Sequence, residues 1–197
     1  MYTTYLCVFT NKSVFSYAKD MSKTIIYISM TLDGFVAGKN DDLSWLEPYM
    51  GVDYGYKEFY DNIGAIILGK RTYDHIVQNW DWPYGNIPAF VLSNEELTNL
   101  PQNAEVIQAQ GDITDVLAQA KARTDKDIWI GGGAHVVQDF LNKQLADELN
   151  VTLVPTMIGN GVRLLDNVHT AGILELQETK TYDKGLVQLV YRVKSAS

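Results

Sequence analysis

Three successive glycines, Gly131, Gly132 and Gly133, follow the apolar run Ile128-Trp129-Ile130 and lead into Ala134 to Leu141, where Val136, Val137, Phe140 and Leu141 take up helical spacing. Residues without a Cβ let a backbone pass close to a ligand, and the free N–H groups at a helix start favour an anion. A strand, a tight turn and a helix start at this point suit a pyrophosphate, and so a nucleotide cofactor; a glycine-rich turn that binds nothing has the same local pattern. Metal chemistry has little to work with. Cys7 is the only cysteine and the histidines are His75, His135 and His169, which excludes an intramolecular disulfide and a cysteine-based zinc site. A reducing cytoplasm fits that cysteine usage.

The elements that must position these residues alternate along the chain. Residues 24 to 30 and 64 to 69 are near-continuous apolar runs of strand length, as expected in a sheet covered on both faces. Residues 89 to 92, 104 to 108 and 127 to 130 are further short strands. Asp112 is placed to cap a helix in which Ile113, Val116, Leu117 and Ala120 form one apolar stripe. In residues 148 to 154, Asn150 and Thr152 alternate with Leu149, Val151 and Leu153 and so point to the opposite face. Residues 173 to 180 and 186 to 193 read as strands joined by Tyr182-Asp183-Lys184-Gly185, a hairpin signal. The expected fold is α/β: a central, mostly parallel mixed sheet flanked by helices, with a C-terminal antiparallel hairpin.

With 197 residues, 46% hydrophobic and 20% charged, the chain suits one domain with a real core. Its formal net charge of -8 argues against a nucleic-acid surface. Residues 1 to 20 show no periodicity and hold an apolar stretch too short to span a membrane. They are expected to be a non-essential extension, with a single domain over residues 21 to 197. Two nucleotide motifs fail. Val136 stands where the dinucleotide fingerprint needs its third glycine, and Arg71 replaces the Ser or Thr of a P-loop in the run Gly64 to Lys70.

Five segments, in order, resemble the dihydrofolate reductase-like fold, and more narrowly the RibD C-terminal domain family of riboflavin biosynthesis. They are Ile28 to Gly38 with Thr31-Leu32-Asp33-Gly34, Leu68 to Tyr73, Phe90 to Asn94, Ile130 to Gly133, and Ile158 to Leu165. The resemblance implies NADPH lying across the strand ends. Gly69, Lys70, Arg71 and Thr72 would meet its phosphates at a helix start, where cations are disfavoured unless an anion is near. Ser93 would sit beside the adenosine 2′-phosphate, and Gly131, Gly132 and Gly133 would carry the pyrophosphate, with a cis peptide often found between the first two. Ala134 and Val136 depart from the arginine and aromatic residue of dihydrofolate reductases, so the grip on the cofactor should differ in detail.

On the substrate side, Trp45 in Ser44-Trp45-Leu46-Glu47-Pro48 and Thr152 match substrate-contacting positions of the reductases. Trp45 equally suits a core position. Asp33 would help close its loop over the nicotinamide or simply serve as a turn aspartate. Hydride delivery to a C=N bond also needs a proton. An acid is therefore expected on the helix before the Ile66 strand; counting from Gly69 gives Asp53, counting from Trp45 gives Met50, and Glu58 or solvent are alternatives. The implied function is a stand-alone, homodimeric NADPH-dependent reductase of the 5-amino-6-(5-phosphoribosylamino)uracil reductase type. A dihydrofolate or pteridine reductase, and a nucleotide-binding protein without turnover, are the other readings.

Overall fold

The computed structural model describes residues 22–169, 172 and 174–194. The extension expected over residues 1 to 20 lies outside them. In chain order the strands are β1 (Thr24–Thr31), β2 (Phe35–Ala37), β3 (Ile63–Gly69), β4 (Ala89–Leu92), β5 (Val106–Ala109), β6 (Asp127–Gly132), β7 (Glu148–Val154), β8 (Val162–Arg163), β9 (Leu174–Thr181) and β10 (Val187–Val193). The α-helices are α1 (Tyr56–Asp61), α2 (Lys70–Asn79), α3 (Ile113–Lys121) and α4 (Ala134–Asn142). One eight-stranded sheet runs in the order β5-β4-β3-β6-β1-β7-β10-β9. Neighbours from β5 through β7 are parallel, and β10 lies antiparallel between β7 and β9. The α/β fold with a C-terminal antiparallel hairpin is as the sequence implied.

Each face of the sheet is covered by a different kind of surface. On one, Ile26, Ile67, Ile130 and Val151 pack against Val116 and Leu117 of α3 and Val137 and Phe140 of α4, an aliphatic core. Asp112 caps α3 as its position demands, accepting from the Thr114 amide. On the other, Ile25, Tyr27, Ile66, Leu68 and Trp129 meet Ile76 of α2, Tyr84, and a collar of Tyr54, Tyr56, Phe59 and Tyr60 around α1. Tyr27 and Phe59 stack at 4.0 Å between ring centroids, and Trp129 meets Phe59 edge-on at 5.4 Å. No helix among the described residues is long and apolar enough to cross a membrane.

Two details differ from the sequence expectations. The glycine run is not a strand followed by a separate turn: β6 continues through Gly131 and Gly132, and Gly133 is itself the residue from which α4 starts. The cis peptide lies between Gly132 and Gly133, one bond later than expected, at the junction of β6 with α4. The hairpin connection lies where the sequence signal put it, with Asp183–Gly185 forming a 3-10 turn.

Candidate functional site

In an open parallel sheet the strand ends supply the crevice in which ligands bind. Here β3 and β6 are neighbours, and each passes directly into a helix, α2 after Gly69 and α4 after Gly133. Neither helix start has a side-chain cap, so the first amides of both are left without side-chain acceptors. The two starts touch: a Cβ on Gly69 would stand 3.5 Å from the Gly133 nitrogen, and one on Gly133 would stand 3.1 Å from Thr72 Oγ1. Two helix dipoles thus converge on one corner whose walls are backbone, which suits a doubly charged pyrophosphate.

The three glycines of that corner are not equivalent. A Cβ on Gly131 would lie 2.7 Å from Cδ2 of the fully buried Leu68, so this glycine is dictated by packing. Gly132 has φ +106°, which L side chains rarely adopt, while the space beside it is open apart from Ile28 Cδ1 at 3.9 Å. Gly133 has ordinary extended geometry and faces Thr72.

Beside the corner, a groove of about 530 Å³ is lined by Asp41, Lys70, Arg71, Asp74, Ser93 and Glu95, among others. It gathers Lys70 and Arg71, which the resemblance placed at the phosphates, with Ser93, which it placed beside the 2′-phosphate, but each is already engaged. Lys70 Nζ lies 2.6 Å from Asp74 Oδ2 and 3.8 Å from Glu95 Oε2, and Arg71 Nε donates to Asp41 Oδ2 at 2.7 Å. The anion that a cation needs at a helix start is therefore supplied from within the chain. Bonding to Asp74 raises the Lys70 pKa above its ordinary value. The Ser93 hydroxyl donates to the Glu95 carbonyl at 2.6 Å and accepts from the Glu95 amide, a local turn.

Asp33 fixes the conformation of its loop. Its carboxylate accepts from Thr31 Oγ1 at 2.6 Å and from the amides of Ile158 and Gly159 at 3.1 and 2.7 Å, tying the Thr-Leu-Asp-Gly loop to the late loop. The Thr31 bond, with the two amides, holds its pKa below the usual carboxylate value, so Asp33 is ionised at neutral pH. Asp53 and Glu58 are exposed. The acid expected on the helix before β3 is corrected on one point: Asp53 precedes α1 and caps the Gly55 amide at 3.0 Å instead of riding on the helix.

Thr152 is buried, and it belongs to a chain of side chains that the sequence reading missed. Tyr182 donates to Gln188 Oε1 at 3.3 Å, and Gln188 Nε2 donates to Thr152 Oγ1 at 3.2 Å, so that among the described residues the Thr152 hydroxyl hydrogen has no acceptor. Gln188 lies opposite Thr152, and Thr152 opposite Ser29, in the ladders of β10, β7 and β1. Tyr27, on the same face of β1, donates to the Tyr54 carbonyl, and burial pushes its phenol well above the ordinary tyrosine value, with Gln188 opposing. Polar residues at inward positions, Gln188 among Leu186 and Leu189 and Tyr27 within an apolar strand, were the available signals. Trp45 sits in a core with Val154 and Leu186, and its Nε1 and Asn150 Oδ1 are buried without a partner among the described residues. No group of His, Cys, Asp and Glu suited to a metal ion occurs among those residues.

A family model of the RibD C-terminal domain matches residues 22–188. The uncharacterized protein YwjB of Bacillus subtilis (strain 168) is 32% identical over 171 residues, covering 86% of this chain and 97% of its own. A solved protein of Shewanella sp. PV-4 ascribed to riboflavin biosynthesis superposes with TM-score 0.79 at 28% identity, over 88% of this chain and 99% of its own. Dihydrofolate reductase from Enterococcus faecalis, solved with NADP(H), superposes with TM-score 0.62 at 15% identity, over 88% and 97%. That last likeness is one of fold.

Proposed function

The chain belongs to the RibD C-terminal domain family, and from that premise we propose that it is a reductase that passes a hydride from NADPH to a small heterocycle of the 5-amino-6-(5-phosphoribosylamino)uracil class. The observation that carries this reading is the corner of two uncapped helix starts at Gly69 and Gly133, whose residues fit a pyrophosphate. When bound, the reduced nicotinamide supplies the hydride. The chain supplies orientation. Backbone amides at the starts of α2 and α4 hold the pyrophosphate, with Thr72 beside Gly133 adding a hydroxyl. Asp33 keeps the loop after β1 docked on residues 158 and 159, so both loops border the strand ends as one rim.

On the substrate side, Thr152 offers its free hydroxyl hydrogen to a ring oxygen or nitrogen, with Gln188 and Tyr182 fixing the direction in which it points. Trp45 supports that face from the core behind it. The proton that accompanies the hydride is assigned to Asp53, which bonds the amide of Gly55, and a Cβ on Gly55 would stand 3.1 Å from the Tyr182 hydroxyl. A homodimer in the cytoplasm completes the reading.

The test pairs binding with turnover. NADPH titrated into the wild type should bind, and its absorbance should decay only when 5-amino-6-(5-phosphoribosylamino)uracil is present. Gly133→Ala places a methyl group between the two helix starts at an ordinary φ. It should weaken NADPH binding by about tenfold or more, roughly 1.4 kcal/mol, while the melting temperature stays within about 2 °C, under 1 kcal/mol for a domain of this size. A folded Gly133→Ala protein with unchanged affinity would remove the corner from the cofactor site. Binding without oxidation across pyrimidine, pteridine and dihydrofolate substrates would leave a nucleotide-binding protein.

A further inference from the structure

The adenosine end and the pyrophosphate corner make different demands on a ligand, and at the adenosine end both cations are already paired with carboxylates. In the groove beside it, three carboxylates, Asp41, Asp74 and Glu95, face two cations, Lys70 and Arg71. A 2′-phosphate entering this groove does not meet an unpaired cation. Asp74 already matches the charge of Lys70, and Asp41 that of Arg71 through Nε, so the phosphate gains less from each cation and must sit beside carboxylates of its own sign. Ser93 offers no free hydrogen, because its hydroxyl is spent on the Glu95 carbonyl. An unphosphorylated ribose makes the opposite demand: its 2′-hydroxyl is a donor, and a carboxylate is an acceptor. Dinucleotide sites in general use an acidic side chain for a free 2′-hydroxyl and an arginine for a 2′-phosphate. This groove holds both kinds, already bonded to each other.

We propose that Asp41 and Asp74 are specificity-determining residues of the adenosine end, which hold Arg71 and Lys70 so that a dinucleotide with a free 2′-hydroxyl binds nearly as well as one with a 2′-phosphate. The inference rests on the cofactor reading above and sharpens it: the pyrophosphate grip is common to NADPH and NADH, and the discrimination between them is small. Glu95, 82% exposed and paired with Lys70 only at 3.8 Å, is the least held of the carboxylates and the one that turns toward the ribose.

Calorimetric titration of NADPH and NADH into the whole protein reads this directly, without turnover. The expected wild-type result is that both bind, with affinities within about tenfold of each other. In Asp41→Asn/Asp74→Asn the side-chain shapes are kept and the two cations are released. NADPH should then bind about tenfold tighter or more, the worth of one freed charged hydrogen bond, with NADH unchanged within about twofold. Asp41→Asn alone, in an exposed turn away from the core, should show part of the same gain and covers the case in which the double variant folds poorly. A wild-type preference for NADPH above about tenfold, or folded variants with no gain for NADPH, overturns the proposal while leaving the cofactor reading intact. Failure of both dinucleotides to bind the folded wild type overturns the cofactor reading itself, and the inference with it.

Discussion

The glycine corner and the face around Thr152 solve the problem of a site by different means. At the corner, the groups proposed to hold the cofactor are main-chain amides, brought together because β3 and β6 are neighbours and each runs straight into a helix. Around Thr152 the groups are side chains from β7, β10 and the hairpin turn, brought together by strand register. A backbone site tolerates changes of side chain but not the addition of a Cβ. A side-chain site depends on each member of its hydrogen-bonded chain. The two regions should therefore fail in different ways when mutated.

The largest effect on stability is expected inside the corner and away from the ligand. Gly131→Ala forces a methyl group to within 2.7 Å of buried Leu68 Cδ2, so the core must shift. Overpacking of this kind costs about 1–3 kcal/mol, or a drop of roughly 2–12 °C in melting temperature. Gly133→Ala, two residues on, should lose cofactor and keep its stability. If thermal melts and NADPH titrations show the two variants failing alike, the corner is a single structural turn and the contrast with the Thr152 face disappears.

On that other face, Gln188→Leu removes the acceptor of Tyr182 and the donor to Thr152 together, leaving buried polar groups unpaired. The expected cost is about 1–2 kcal/mol. Tyr182→Phe deletes only the outer bond and should cost less, about 0.5–1.5 kcal/mol. Both should leave NADPH affinity within about twofold, well under 1 kcal/mol. With 5-amino-6-(5-phosphoribosylamino)uracil as substrate, Gln188→Leu should raise KM or lower kcat, since the Thr152 hydroxyl is no longer directed. A change in NADPH affinity as large as that of Gly133→Ala would mean that the two regions are one site.

How far each region could be read from the sequence follows from the same contrast. Gly69, Gly133 and the capping residue Asp112 were legible because backbone turns and caps are local, and their residue requirements are visible within a few positions. So were the strands, although β5 came out two residues later at its start than the run from Ala104 suggested. Partners distant in the chain were not legible. Nothing near Arg71 announces Asp41, thirty residues earlier, and nothing near Thr152 announces Gln188, thirty-six residues later. Asp33 shows the limit most plainly: it reads as a turn residue, and its carboxylate does bond Thr31 nearby, yet two further bonds go to amides 125 and 126 residues away.

Those bonds give Asp33 the smallest of the expected effects and the one with a definite pH signature. Its folded pKa lies below its ordinary value of 3.8, first through Thr31 and then through the Gly159 and Ile158 amides. A carboxyl whose pKa is depressed by folding contributes stability above its unfolded value, and that contribution is lost as the pH falls through the folded value. Wild type should therefore be more stable than Asp33→Asn at pH 7, by a margin that stays constant down to about pH 5, shrinks below about pH 4 and closes in stronger acid. Melting curves of the two proteins between pH 7 and pH 2 measure this. A margin that instead widened in acid would mean that Asp33 is held protonated in the folded protein, as a proton donor would be. Asp33 would then belong with the chemistry of the Thr152 face and not with the backbone frame that the corner exemplifies.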